Sequence, residues 1–394
     1  MKKKIFFIYI ILLLNIQIKS FSKYSPYEEI KINLSSKKNF IKKIGRYYIK
    51  EDIIYLAQSG SAFEFYLTAK AALITIYGGN TYLHDDYEKP RYAIYLNDKK
   101  FIDTKVYSKE SKIFLFNYDT IKEVKIRIIL LSEAMVGNIG VKDIYVNSYI
   151  NEEDIIKPTE NKKYLIEYIG DSITCGYGIE GKGANEMFDT STENFEKTYV
   201  YLSAKELNYD YSTVCYSGCG IITPGSKMPQ RYKEINSFMG DLEWDFNNKA
   251  DIVVINLGTN DKDFALSFRE DIYSQDYAEF LKLVREKNQN AIIICVYGMM
   301  GGEALFPLIM EGINSLNDNK IFGYLFPEQK FEDGYGAQLH PNVISNKKWG
   351  KLLSNIIISL ASFAISVPEN MANPTSDFDK AGASFVPSPV TATT

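Results

Sequence analysis

Histidine is almost missing from this chain. Two occur in 394 residues, His84 and His340. Any reaction that uses an imidazole base must use one of them, and two histidines so far apart cannot build a typical zinc site. Cysteine is also scarce: Cys175, Cys215, Cys219 and Cys295, with no zinc-type spacing. The Gly-x-Ser-x-Gly elbow of α/β-hydrolases is absent. No internal repeat is evident. No apolar run is long enough to cross a bilayer comfortably; the two candidates are the apolar run 5–14 and the charge-free stretch 352–367. Basic excess is missing too. Net charge is −4, which argues against nucleic acid as a partner.

What is present begins with a processing signal. Lys2, Lys3 and Lys4 precede the apolar run from Ile5 to Leu14, and Asn15 to Ser22 is a polar exit. The pattern predicts a signal peptide over 1–22, with Ser20 and Ser22 as cleavage candidates because no Ala-x-Ala occurs. Its removal takes away four lysines and no acid, so the net charge falls from −4 to −8. A secreted, extracellular protein with no stable membrane anchor is expected. Secretion permits disulfides. Cys215 and Cys295 lie inside apolar strand patterns, where a free thiol is a small core residue. Cys175 and Cys219 are either bridged or free. The 30 tyrosines and 23 phenylalanines fit β-rich structure, and also exposed aromatic platforms of the kind sugar binders use.

Residues 30–150 read as all-β. Runs at 62–67, 72–77, 92–96, 112–116, 124–131 and 141–146 are β-branched or alternating, with turn residues such as Gly78-Gly79-Asn80 and Asn97-Asp98 between them. Many short strands with regular turns predict a β-sandwich. Residues 151–163, polar and containing Pro158, are the expected linker. From Tyr164 the pattern changes. Runs starting at Tyr164, Tyr211, Asp251 and Ala291 are continuously apolar, as strands buried on both faces are. Helical stretches at about 198–207, 274–287 and 303–316 alternate with them. This predicts an α/β domain over 164–367 with a parallel sheet, closed by a buried helix within 345–367. Residues 368–394 change composition and read as a flexible tail.

In such a sheet the site forms beyond the C-terminal strand ends. Three blocks fall there: Gly170-Asp171-Ser172, Ser217-Gly218-Cys219-Gly220 and Gly258-Thr259-Asn260-Asp261. His340 follows in Gln338-Leu339-His340-Pro341. Singly, each block has a bland reading: a helix cap, a strand-end turn, a loop pair, a surface residue. In order and at strand ends they make an acyl-transfer constellation. Ser172 is the nucleophile, and His340 is the base that a serine needs near neutral pH. The Ser172 N–H, the Gly218 N–H and the Asn260 amide are candidate donors to an oxyanion. Asp261 is expected to hold its loop, Ser217 is a rival nucleophile, and His84 reads as a surface loop residue. No cofactor and no metal are implied.

The four blocks together resemble those of an SGNH/GDSL-type hydrolase. One departure stands out. The family usually has aspartate three residues before the histidine, and that position is Ala337. The loss of this acid, with a β-sandwich in front, is similar to carbohydrate esterase family 2. The resemblance covers about residues 30–365. It implies an N-terminal jelly roll followed by a flavodoxin-like SGNH domain, whose central parallel sheet is flanked by helices. It implies removal of O-acetyl groups from acetylated polysaccharides or oligosaccharides, as an acetylxylan esterase does. It also implies a Ser172–His340 dyad in which a backbone carbonyl orients the histidine, Asp333 being the nearest local substitute. The rival readings are a lipase or thioesterase on the same scaffold, and a glycan-binding module with a vestigial site.

Overall fold

The computed structural model describes residues 29–366 apart from Tyr149, Met239 and Asp241, together with Ser384 and Phe385. The signal peptide expected over 1–22, and nearly all of the tail expected over 368–394, lie outside the described residues.

The N-terminal half is one antiparallel ladder of ten strands: β1 (Glu29–Asn33), β2 (Lys42–Ile44), β3 (Tyr47–Lys50), β4 (Ile53–Leu56), β5 (Ala62–Tyr77), β6 (Arg91–Leu96), β7 (Lys99–Lys105), β8 (Glu110–Leu130), β9 (Ile139–Asn147) and β10 (Ile156–Pro158). Its main path runs β3-β4-β9-β5-β8-β6-β7, and it curls in jelly-roll fashion around a core that includes Phe63, Phe65, Ile126, Ile128 and Ile144. Four runs expected as separate strands are two long ones here, β5 and β8. Neither glycine nor proline interrupts 68–71 or 117–123, so the ladder continues through both stretches. It absorbs the change of direction as register shifts at Ala69/Ala71 and Ala72/Leu73. The expected linker is not an open joint. Ile155 and Ile156 are buried, and β10 pairs with β5, so two apolar residues pin a segment that is polar on average.

The C-terminal half is a sheet in the order β12 (Asp210–Cys215), β11 (Leu165–Gly170), β13 (Ile252–Asn256), β14 (Ile292–Tyr297), β15 (Ile321–Leu325), β16 (Ser384–Phe385). The first five are parallel, in flavodoxin-like order, and β16 is antiparallel. The strand β15 is short, has Gly323 at its centre, and is not among the strands expected from the sequence. Helices α1 (Ser172–Cys175), α2 (Tyr199–Leu207), α3 (Lys262–Phe268), α4 (Glu270–Lys287), α5 (Phe306–Ser315) and α6 (Val343–Ser366) follow the strands. Alternate residues of one strand enter different cores. Val253 and Ile255 pack with Tyr277 and Leu281 of α4 and Ile309 of α5. Ile252 and Val254 pack with Val200 of α2 and Leu353 and Ile357 of α6. Burial on both faces is why these strands read as unbroken apolar runs. Within the charge-free stretch from Leu352, the side chains of Leu352, Leu353, Ile356, Ile357 and Leu360 are the buried face of α6, and Ile358 is exposed. Among the described residues no helix is long and apolar enough to cross a membrane.

The two sheets meet along β12. An uncovered edge strand invites pairing with another chain; here the segment 57–61 lies against it. The Tyr211 hydroxyl donates to the Gly60 carbonyl (2.9 Å), Thr213 Oγ1 donates to the Ser59 carbonyl, and Gln58 Nε2 donates to the Tyr216 hydroxyl (2.7 Å). Arg46 is fully buried in the same junction. It donates to the Tyr232 carbonyl (2.7 Å) and pairs with Glu167 (3.2 Å). A buried guanidinium is tolerable only when paired in this way.

Candidate active site

Strand β11 ends at Gly170, and Asp171 caps the single turn α1. Its carboxylate accepts the Ile173 N–H at 3.0 Å. The bland reading of Asp171 as a helix cap is therefore true, and Ser172, the candidate nucleophile, opens the turn at the sheet edge. Burial raises the Asp171 carboxyl to about 7, the Ile173 N–H opposes this, and the nearby Asp261 charge adds to it.

His340 reaches Ser172 from 168 positions away. Its Nε2 lies 3.0 Å from Ser172 Oγ, and its Nδ1 lies 3.0 Å from the Gln338 carbonyl oxygen. A carbonyl can only accept, so Nδ1 carries the hydrogen and the Nε2 lone pair faces the serine hydroxyl. The Gln338 carbonyl points this way because Gln338 and Leu339 both have left-handed backbones, φ 50° and 61°. That costs roughly 1–2 kcal/mol per non-glycine residue. Several bonds hold the turn: the Gln338 N–H to the Glu186 carbonyl (3.1 Å), Gln329 Nε2 to the Leu339 carbonyl (2.8 Å), and the Gly336 N–H to the His340 carbonyl (2.8 Å).

The residue at the usual acid position is a buried alanine packed closely against two glycines. Ala337 is fully buried, and its N–H donates to the Gly178 carbonyl at 2.9 Å. A Cβ on Gly181 would stand 2.3 Å from the Ala337 nitrogen. Asp333 turns elsewhere: both of its carboxylate oxygens pair with Lys348 Nζ, at 2.7 and 2.6 Å. Asp333→Asn is accordingly expected to keep esterase kcat/KM within about tenfold, roughly 1.4 kcal/mol of barrier. A loss near 10⁴-fold, the order seen when a true triad acid is removed, would make Asp333 the third member.

The other blocks converge on the same edge. Gly218 has φ +70° and is exposed, and its N–H donates to no acceptor among the described residues. Asn260 Nδ2 donates to the Cys219 carbonyl at 2.9 Å and makes a long 3.4 Å contact with Asp171 Oδ2, joining the first three blocks. Asp261 is fully buried and holds the loop after Gly220. It accepts the N–H groups of Ile221 (2.7 Å), Ile222 (3.0 Å) and Thr223 (2.9 Å), the Thr223 hydroxyl (2.7 Å) and the Tyr273 hydroxyl (3.3 Å). Glycine is required at 220, where a Cβ would stand 2.2 Å from Asp261 Oδ1.

Ser217, the rival nucleophile, is committed to a carboxylate and not to a histidine: its Oγ donates to Glu133 at 2.7 Å. Glu133 comes from the N-terminal half, and no local pattern in the sequence marks it. His84 is exposed at the end of a short turn, as expected of a surface loop residue. All four cysteines are buried free thiols, so Cys175 and Cys219 are not bridged. At the rim, Tyr177 stacks on Phe188 (centroids 4.1 Å apart) and leans on the His340 ring (4.4 Å).

Residues 168–319 match the GDSL-like Lipase/Acylhydrolase family. The chain carries a GDSL-like acylhydrolase domain. It is 33% identical over 212 residues to a cellulase/esterase, CelE, of Acetivibrio thermocellus, which covers 50% of this chain and 25% of that protein. It is 25% identical over 249 residues to an acetylxylan esterase / glucomannan deacetylase of Cellvibrio japonicus, covering 60% of this chain and 67% of that one. The chain thus spans only about a quarter of the first relative's length. Two solved structures extend the likeness across both sheets. A family two carbohydrate esterase from Clostridium thermocellum, in complex with cellohexaose, has TM-score 0.71 and 25% identity, covering 82% of this chain and 99% of that one. An acetyl xylan esterase from Butyrivibrio proteoclasticus has TM-score 0.72 and covers 85% and 99%; at 22% identity it speaks for the fold alone.

Proposed function

We propose that this GDSL-like chain is a secreted serine esterase that removes O-acetyl groups from plant-type polysaccharides such as xylan or mannan. The observation that carries the reading is the relay from the Gln338 carbonyl through His340 to Ser172 Oγ, each step at 3.0 Å. The relatives named as acetylxylan esterases and glucomannan deacetylases support the substrate class. The basic start and short apolar run over 1–22 support secretion.

In the proposed reaction Ser172 Oγ attacks the acetyl carbonyl while His340 Nε2 takes the hydroxyl proton. Charge develops on the carbonyl oxygen, where the Ser172 N–H, the Gly218 N–H and the Asn260 amide are the donors. Collapse breaks the ester bond, and the imidazolium protonates the departing sugar oxygen. Water, deprotonated by His340, then attacks the acetyl-serine and releases acetate. The Gln338 carbonyl fixes the tautomer throughout, though it stabilises an imidazolium less than a carboxylate would.

The test is acetate release from acetylated xylan and mannan, with an acetylated lipid and an acyl thioester as controls. Faster turnover of the glycans is expected; preference for the lipid or thioester would overturn the assignment, and glycan binding without hydrolysis would make the chain a binding module.

A pH dependence follows from the site. Burial lowers the His340 pKa below its ordinary 6.5, against the raising effect of the Gln338 and Ala337 backbone groups. The base works in its neutral form, so a lowered pKa keeps it competent to lower pH. The acidic limb of kcat/KM is expected to have its midpoint below 6.5. A midpoint above that value would show the free enzyme's base to be a different group.

A further inference from the structure

The carboxylate that grips the oxyanion turn belongs to the other half of the chain. Glu133 lies just after β8 and is fully buried. Its Oε1 accepts the Ser217 hydroxyl (2.7 Å), its Oε2 accepts the Ser217 N–H (2.9 Å), and Cys175 Sγ approaches Oε2 at 3.9 Å. Ser217 immediately precedes Gly218, and Cys175 closes the turn that Ser172 opens. One carboxylate thus touches both the nucleophile's turn and the glycine's. The loop that delivers it is anchored: the Ser132 hydroxyl oxygen accepts the Arg91 N–H (2.9 Å), and the Leu131 carbonyl accepts the Phe195 N–H (3.0 Å).

A second carboxyl, Glu193, is also fully buried, and neither of its oxygens has a well-formed hydrogen bond. Arg91 reaches the Glu193 backbone carbonyl (3.1 Å) and not its carboxyl. Two adjacent buried carboxyls do not both ionise readily. Burial raises both. Glu133 is eased by the Ser217 bonds, Cys175 and the Arg231 charge; Glu193, which also feels the Glu133 charge, is pushed well above the ordinary range. Both Glu133 oxygens accept from donors, as an ionised carboxylate does, whereas Glu193 has no such donors from Ser217 or Cys175.

We infer that Glu133 is a positioning residue of the N-terminal sheet, whose ionised carboxylate fixes the Ser217–Gly218 turn so that the Gly218 N–H faces the oxygen on which charge develops. This rests on the roles proposed above for Ser172 and Gly218. A donor aimed at a transition-state charge acts only when held in place, and a charged acceptor with two bonds to one residue holds it firmly. The arrangement also makes the N-terminal sheet part of the catalytic apparatus.

The test uses the full chain with p-nitrophenyl acetate, and an arylboronic acid as the tetrahedral mimic. Glu133→Gln is expected to lower kcat about 10- to 100-fold with KM within about twofold, and to weaken the boronic acid by a similar factor. Ser217→Ala, which deletes one bond and keeps the carboxylate, is expected to lower kcat about three- to tenfold. Glu193→Gln alters a carboxyl that makes no hydrogen bond to either turn, and is expected to stay within about twofold of the parent. The inference is overturned if Glu133→Gln keeps its kcat, if it raises KM alone, or if Glu193→Gln loses as much as Glu133→Gln. Should Glu133→Gln fail to fold, Ser217→Ala decides: an unchanged kcat and boronic acid affinity overturn it. Ser172→Ala separates the two layers. An inactive Ser172→Ala beside a fully active Glu133→Gln removes only this inference, whereas an active Ser172→Ala removes the esterase reading and this inference with it.

Discussion

Ser172→Ala is expected to abolish ester hydrolysis, by about 10⁴-fold or more, while leaving the fold intact. The hydroxyl oxygen lies 3.0 Å from His340 Nε2, within reach of its lone pair. Its removal leaves only the oxyanion donors and substrate binding to act on the ester. Ser172 opens a one-turn helix already capped by Asp171, so the alanine variant should change stability by no more than about 1 kcal/mol. His340→Ala is expected to lose a comparable amount. The double variant should lose little more than either single one, because the two residues act as a unit. Acetate release and thermal unfolding on the same samples check both halves. Near-normal acetate release from the alanine variant would remove Ser172 from the chemistry.

Asp261→Ala is expected to have the largest effect on stability. The carboxylate is fully buried and gathers three backbone N–H groups and two hydroxyls within 3.3 Å. Alanine would leave those donors without an acceptor in a buried place, at about 1–3 kcal/mol each before relaxation. A net loss of about 4 kcal/mol is expected, at the severe end for a single substitution. Activity should fall as well, since this side chain ties the loop leaving Gly220 to the loop carrying Asn260. The shift in thermal midpoint, read with kcat, measures it. A loss under about 1 kcal/mol would mean that water replaces the carboxylate at that site.

The architecture was legible where physical chemistry leaves a mark on residue type. Burial on both faces wrote β13 and β14 as apolar runs and β11 and β12 less cleanly, and alternation or β-branching wrote β5, β6, β8 and β9 of the ten N-terminal strands. Composition failed where a few residues decide the outcome. Two isoleucines turned a polar linker into a paired strand, and β15, short with Gly323 at its centre, was not among the strands expected. The lengths of β5 and β8 were hidden as well, because continuity of a ladder depends on what lies beside it.

The sequence by itself determined which side chains are available to the site and in what order they arrive. With two histidines in the chain, and one of them near the strand-end blocks, the candidate for a base narrowed to His340. Serine, glycine and asparagine at strand ends are chemical types, and types are legible. Only the tertiary structure decided how that base is oriented and what holds the glycine turn. The orienting group is the carbonyl of Gln338, a group every residue possesses, so no residue type announces it. Gly178 and Gly181 leave room for the Ala337 backbone to approach closely, a contact across about 160 positions. Glu133 meets Ser217 across 84 positions and from a different sheet. Such contacts exist only once both sheets have folded and docked along β12, and no local pattern can encode them.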